Sequence, residues 1–156
     1  MAIEKVRAYF ETLGRADDIL EFPVSSATVA LAAQALKCGE GEIAKSLTFM
    51  VGGEPIMVVA AGDARIDNHK YKEEFGAKAK MLTPDEVREL IGHEVGGVCP
   101  FAVNEGVKVY LDKTLRKYEV VYPACGSSNS AVGMTIEELE RASGYVKWVD
   151  VCKDAC

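Results

Sequence analysis

The strongest constraint in this chain is a pair of apolar runs with a tight break between them. Lys45-Ser46-Leu47-Thr48-Phe49-Met50-Val51 and Pro55-Ile56-Met57-Val58-Val59-Ala60-Ala61 flank Gly52-Gly53-Glu54. Glycines accept the positive φ angles that short hairpin turns require, so the pattern predicts two antiparallel strands closed by a tight turn. A chain that carries this hairpin must build a sheet and cover it.

The covering elements are read from the flanks. Ile3, Val6, Phe10 and Leu13 recur at three- and four-residue steps and predict a helix over 2–14, stopped at Gly14. Ser25 and Ser26 offer caps for a second helix over 27–38, Ala- and Leu-rich and apolar nearly all round, hence expected to be largely buried. Asp67 or Asn68 caps a helix near 67–75. Thr83-Pro84-Asp85-Glu86 combines a capping Thr, Pro at the first helical position and Glu three residues after the cap, opening a helix to Ile91. Thr135-Ile136-Glu137-Glu138 repeats the capping box and predicts a helix ending near Ser143-Gly144. Further short strands are predicted at 19–22, 78–82, 107–112, 118–124, 131–134 and 145–151. About five helices and seven short strands without regular βαβ alternation predict an α+β fold: a curved, mixed, mostly antiparallel sheet in one domain spanning 1–156.

Composition removes several function classes. Eighteen Lys and Arg against twenty-four Asp and Glu give a net charge of −6, which argues against a generally basic nucleic-acid coat; no DNA partner is expected. There is no run of about 18 apolar residues, so no membrane partner is expected. The opening Met1–Arg7 is charged at helical spacing, unlike a signal peptide, and a cytoplasmic location is expected. Five cysteines, at 38, 99, 125, 152 and 156, form no CxxC, and Cys152 and Cys156 make only a terminal CxxxC with no nearby His. Free thiols are expected, with no metal site and no cofactor.

Three segments could carry chemistry. Lys45 opens the first hairpin strand, where an ammonium could enter a cleft and hold a phosphate or developing oxyanion; otherwise it is a solvated strand-end lysine. Gly96-Gly97-Val98-Cys99-Pro100 allows close ligand approach and free backbone N–H groups, or is an ordinary tight connection. Gly126-Ser127-Ser128-Asn129-Ser130 clusters hydroxyl and amide groups, for substrate or for turn chemistry alone. Cys99 with His93 could form a thiol–base pair, although no cysteine-hydrolase signature surrounds either. Arg65, Lys70, Lys72, Lys78 and Lys80 outweigh Asp67, Glu73 and Glu74 over 65–80, a local excess of positive charge that could meet a few phosphates.

Taken in order, Ile43-Ala44-Lys45-Ser46-Leu47, the GxxxP loop Gly96 to Pro100 with Phe101, Val109-Tyr110-Leu111-Asp112 and Ala124-Cys125-Gly126 resemble the YbaK/EbsC family, over about residues 20–145. That family is related to the editing domain inserted in bacterial prolyl-tRNA synthetases. The resemblance implies a compact mixed-sheet fold and a hydrolase cleaving the ester between a wrong amino acid and tRNA, acting in trans on mischarged proline tRNA or a similar tRNA. Cysteine, alanine or another small residue would be the amino acid removed. The family's lysine falls on Lys45. Ser46, Gly96, Gly97, Val98, Cys99 and Pro100, with Gly126, Ser127 and Ser128, fall on substrate-binding positions. The implied partners are the acceptor end of mischarged tRNA and, as a further option, an aminoacyl-tRNA synthetase. Cys99 stands where many members carry a small polar residue, and Ser127–Ser130 replaces the basic, glycine-containing run of cysteine-specific members; both bear on amino-acid preference. A non-catalytic tRNA- or synthetase-binding module on the same fold is the competing reading, and a thiol enzyme through Cys99 a third.

Overall fold

The computed structural model describes residues 2–154. Its order is helix α1 (Ala2–Thr12), strand β1 (Leu20–Glu21), α2 (Val29–Leu36), β2 (Ile43–Val51), β3 (Glu54–Ala61), β4 (Ala64–Ile66), α3 (Asn68–Phe75), α4 (Pro84–Glu86), β5 (Lys108–Asp112), β6 (Val120–Pro123), β7 (Ser130–Ala131), β8 (Met134–Thr135), α5 (Ile136–Ser143), β9 (Lys147–Val149) and β10 (Cys152–Asp154). This is the α+β arrangement the sequence predicts.

The predicted hairpin is the centre of the molecule. β2 and β3 pair antiparallel from Ala44↔Ala61 to Val51↔Glu54, closed by Gly52 and Gly53 at φ +57° and +80°. Two consecutive positive φ values match the twist of the strands they join, which is why this turn takes two glycines. The hairpin sits inside a six-stranded sheet of order β8-β6-β2-β3-β5-β9. β2–β6, β3–β5 and β5–β9 are parallel, and β6–β8 is antiparallel. Two further antiparallel ladders, β1–β7 and β4–β10, keep antiparallel pairing in the majority overall.

β3 is buried on both faces, as a central strand must be. Met57 and Val59 face one core with Val6 and Phe10 of α1, Phe101 and Leu139. Ile56, Val58 and Ala60 face a second with Phe49, Tyr71 and Val151. Phe10 meets Phe101 edge-on at 4.9 Å between ring centres, tying α1 to the segment after the GxxxP loop.

Several expectations change. α2 is not largely buried: only Ala32 and Ala33 are, packed with Ile43, while Ala30, Leu31 and Gln34 face outward. Its cap is Thr28, whose Oγ1 accepts the Leu31 N–H, not Ser25 or Ser26. The strand expected at 78–82 reduces to a single bridge, Phe49↔Met81. The helix begun by the Thr83 capping box widens to a π turn over Val87–Ile91. β4 and β10 are additional. Cys156, half of the terminal CxxxC, lies outside the described residues.

Candidate active site

The site begins as an interruption in hydrogen bonding along one edge of β2. Its other edge is paired with β3 throughout. On the near edge, β6 pairs only with Ile43 and Ala44. The next contacts there are Met50 N–H to Lys80 O, 2.9 Å, and Leu82 N–H to Thr48 O, 3.1 Å. Between them the strands splay, and a cavity of about 310 Å³ opens. Ser46 and Thr48 of β2 form its floor. Ala27 and Val29 wall one side, Met81 and Leu82 another, and Gly96 and Val98 a third; Ala124 and Ser130 close the β6 end. Met81 and Val95 stand exposed at the mouth.

The GxxxP loop is placed by contact with the polar turn. Gly97 O accepts Gly126 N–H at 3.0 Å, and a Cβ at Gly97 would lie 2.6 Å from Ser127 N. Only glycine permits that approach. The polar turn is anchored in turn: Ser128 O accepts Ser26 N–H at 2.7 Å, and Asn129 exchanges bonds with Phe22. Three segments distant in sequence are thereby fixed around the gap.

Of the predicted site residues, Lys45, Ser46, Gly96 and Val98 border the cavity. Gly97, Pro100, Gly126 and Ser128 do not line it, and neither does Ser127. The Ser127 hydroxyl is 2.9 Å from Asn129 Oδ1 and 2.7 Å from Ser130 Oγ, so its capacity is used inside the turn. Gly97 N–H is likewise committed, to Glu94 O at 3.0 Å. Ser130, the last residue of the polar run the sequence marked, also lines the cavity, whereas Thr48 and Val29 and Ala32 of α2 are cavity residues that sequence reading did not single out. Thr48 had a signal: it is two residues from Ser46, hence on the same face of a strand.

Adjacent residues on a strand point to opposite faces. Ser46 therefore faces the cavity core while Lys45 crosses to the other face. There its ammonium donates to Gly62 O, 3.3 Å, and to Ala64 O. It borders the same cavity as the loop but does not point straight across at it. Burial foremost pushes its pKa below the ordinary lysine value, opposed by nearby Asp63. An ammonium has three donors, and two are used here.

Cys99 is fully buried behind the loop, 3.6 Å from His93 Nε2. His93 Nε2 is 2.8 Å from Phe101 O. A carbonyl only accepts, so that nitrogen carries the proton and has no lone pair for the thiol. Burial pushes the Cys99 thiol up to about 12 and the His93 pKa down, so this is a neutral pair with no thiolate. None of residues 65–80 borders the cavity. Lys70 instead joins Lys113, Lys117 and Lys153 around a second concavity against β10. No group of three His, Cys, Asp or Glu among the described residues could hold a metal, and no helix there is long and apolar enough to cross a membrane.

Known proteins resemble this chain in sequence and, among solved structures, in fold. YwhH of Bacillus subtilis, an uncharacterized protein, is 49% identical over 155 residues, 99% of each chain. The proline–tRNA ligase of Lactiplantibacillus plantarum is 27% identical over 120 residues, 76% of this chain; the chain spans only 21% of that enzyme. Among solved structures, a proposed trans-editing enzyme for prolyl-tRNA synthetase superposes with a TM-score of 0.86 at 32% identity, covering 97% of both chains. The hypothetical protein APE2540 gives 0.81 at 31% identity, covering 93% of this chain and 99% of that one. The model of the aminoacyl-tRNA editing domain matches residues 24–142, the stretch that contains every wall of the cavity, and this chain belongs to that family.

Proposed function

We propose that the protein is a trans-acting aminoacyl-tRNA deacylase that hydrolyses the ester of a small, wrongly attached amino acid on proline tRNA or a similar tRNA. The observation that carries this reading is the single cavity in which the start of β2 and the Gly96–Val98 arc share walls. At about 310 Å³ it is small, mostly apolar and edged by unspent backbone groups, the character of a small-ligand site.

Water attacks the ester carbonyl, the bond from carbonyl carbon to ribose oxygen breaks, and the ribose hydroxyl leaves with the proton. An aminoacyl ester needs no strong nucleophile, only placement and relief of charge on the carbonyl oxygen. The Gly96 and Val98 amides supply that relief from the loop. Lys45, with one donor unspent, holds a substrate oxygen near the Gly62–Ala64 turn. The lysines of the second concavity (Lys70, Lys113, Lys117 and Lys153) meet acceptor-strand phosphates, Lys70 and Lys113 exchanging their ion pairs with Asp150 and Lys117 its pair with Asp154. Editing is needed because a synthetase pocket separates amino acids differing by one methylene by only about 1–3 kcal/mol.

The test is deacylation across a panel of mischarged tRNAs. Wild type is expected to release one or a few small amino acids, and Lys45→Ala to lower kcat/KM by at least about a hundredfold, the cost typical of one lost oxyanion donor. Binding without turnover on every member would establish a non-catalytic module instead.

A further inference from the structure

Met50 N–H and Thr48 C=O both point to the edge of β2 that faces away from β3. Alternate residues of a strand turn their N–H and C=O to the same edge, so Ser46 presents both of its own there. That edge is occupied at Ala44 by β6 and at Thr48 by Leu82. At Ser46, among the described residues, neither group has a partner. The Ser46 hydroxyl, on the cavity side, is also buried without a partner. One half-buried residue thus leaves two main-chain groups and a buried hydroxyl without a protein partner in one wall, and a buried hydroxyl is as a rule paired.

We infer that the aminoacyl moiety of the substrate binds as a one-residue β-strand against Ser46, an inference that rests on the deacylase reading for its substrate. An open strand edge is a template for added backbone. The interval between Ala44 and Thr48 has room for one residue. A single residue can satisfy both main-chain groups of Ser46 only as a hydrogen-bonded antiparallel pair, which exchanges both bonds. The substrate α-ammonium therefore donates to Ser46 O, and the ester carbonyl accepts from Ser46 N–H. This places the scissile carbonyl between the β2 edge and the Gly96–Val98 loop.

The pairing fixes stereochemistry. Opposed residues of an antiparallel pair place their side chains on the same face, about 5 Å apart at Cβ. An L-amino acid puts its side chain beside the Ser46 hydroxyl, inside the cavity. A D-amino acid directs it to the opposite face, or gives up one of the two bonds. A rotation about the Ser46 Cα–Cβ bond brings its buried, unpartnered hydroxyl to the substrate side chain and favours a small one bearing a hydroxyl.

The test uses non-hydrolysable amide analogues of the charged 3′ end: 3′-deoxy-3′-(L-serylamino)adenosine, its D-seryl isomer, its N-acetyl form and the L-alanyl compound. Binding to the full chain is followed by NMR, with amide hydrogen exchange read at Ser46. The L-seryl probe is expected to bind and to slow exchange of the Ser46 N–H. The D-seryl and N-acetyl forms should bind at least about tenfold more weakly, and L-alanyl a few-fold more weakly. Ser46→Ala should erase the seryl preference over alanyl, and Ser46→Pro, tolerated where the N–H faces an open edge, should abolish binding. Equal affinity for L and D forms, an unprotected Ser46 amide in the complex, or no L-seryl binding at millimolar concentration would each overturn the pairing. The deacylase reading is judged separately by turnover of mischarged tRNA: turnover indifferent to L and D sinks the pairing alone, and selective L binding without turnover sinks the hydrolase alone.

Discussion

Gly97→Ala tests whether the loop is held by the polar turn. A Cβ at position 97 would lie 2.6 Å from Ser127 N, 2.8 Å from Gly126 C and 2.9 Å from Ser127 C, all backbone atoms that no rotamer change can clear. Ordinary contact begins near 3.4 Å. The loop must therefore retreat by several tenths of an ångström, stretching the Gly126 N–H to Gly97 O bond of 3.0 Å. Overpacking of this kind costs about 1–3 kcal/mol, and a weakened hydrogen bond up to about 1 kcal/mol more. A domain near 150 residues loses about 2–4 °C in Tm per kcal/mol, so a fall of roughly 2–16 °C is expected. Thermal unfolding followed by circular dichroism measures it. Gly53→Ala is the comparison: its φ of +80° makes an alanine strained, but nothing lies within 4 Å, so its cost is conformational alone. Because Gly96 and Val98 wall the cavity on either side of Gly97, the same variant should lose deacylation out of proportion to its stability at 25 °C. A Gly97→Ala protein as stable and as active as wild type would refute the packing argument.

Further outcomes follow from the buried titratable groups and the charged surface. Cys99, with its thiol pushed up to about 12, should resist alkylation in the native protein at pH 8, and Cys99→Ala should retain turnover; activity lost on replacing the sulfur alone would restore the thiol-enzyme reading. Burial holds the folded-state pKa of His93 below the usual 6.5, so the folded protein binds that proton less readily than the unfolded chain. Stability is then fully present above about pH 6.5 and falls as pH drops toward the folded value, and His93→Gln should flatten that slope in urea titrations between pH 7 and 5. Replacing Lys113 and Lys153 with Glu should raise KM for mischarged tRNA and shallow its salt dependence, while leaving turnover of a short aminoacylated 3′-end fragment unchanged.

The legible parts of the fold were those set by local chemistry. Gly52-Gly53 and the capping boxes at Thr83 and Thr135 each fix backbone within a few residues, and each stands where the sequence placed it. The site was legible as a set of segments but not as a set of side chains. Ile43–Leu47 and the GxxxP loop do meet, yet Lys45 and Ser46, one residue apart, leave β2 on opposite faces. Which of the two entered the cavity depended on the strand's register, which no motif carries. Gly97 and Gly126 read as ligand contacts; they stand outside the cavity lining and bond to each other, and a close backbone crossing demands glycine as strictly as a ligand does. α2 looked buried because it is apolar all round; Val29 and Ala32 border the cavity and Ala33 packs on Ile43, but Ala30 and Leu31 are exposed, and nothing in the structure explains their apolar character.

On the proposed deacylase reading, a site with no thiolate–base pair and no metal cluster among the described residues hydrolyses an ester by leaving backbone groups unspent where a substrate can reach them. In most sheets that is a liability, since an open edge invites aggregation. Here the opening is one residue long, flanked by pairing with β6 and with the 80–82 segment, and recessed behind α2 and the Gly96–Val98 arc. A whole strand cannot enter; a single amino acid can. On the same reading, the feature that protects the edge from other chains also sizes it for an aminoacyl group. Affinity for the amino acid's main chain is thereby separated from selection among side chains. Ser46 N–H and C=O would accept any L-residue, while the walls from Ala27, Val29 and Val98 set how large its side chain can be.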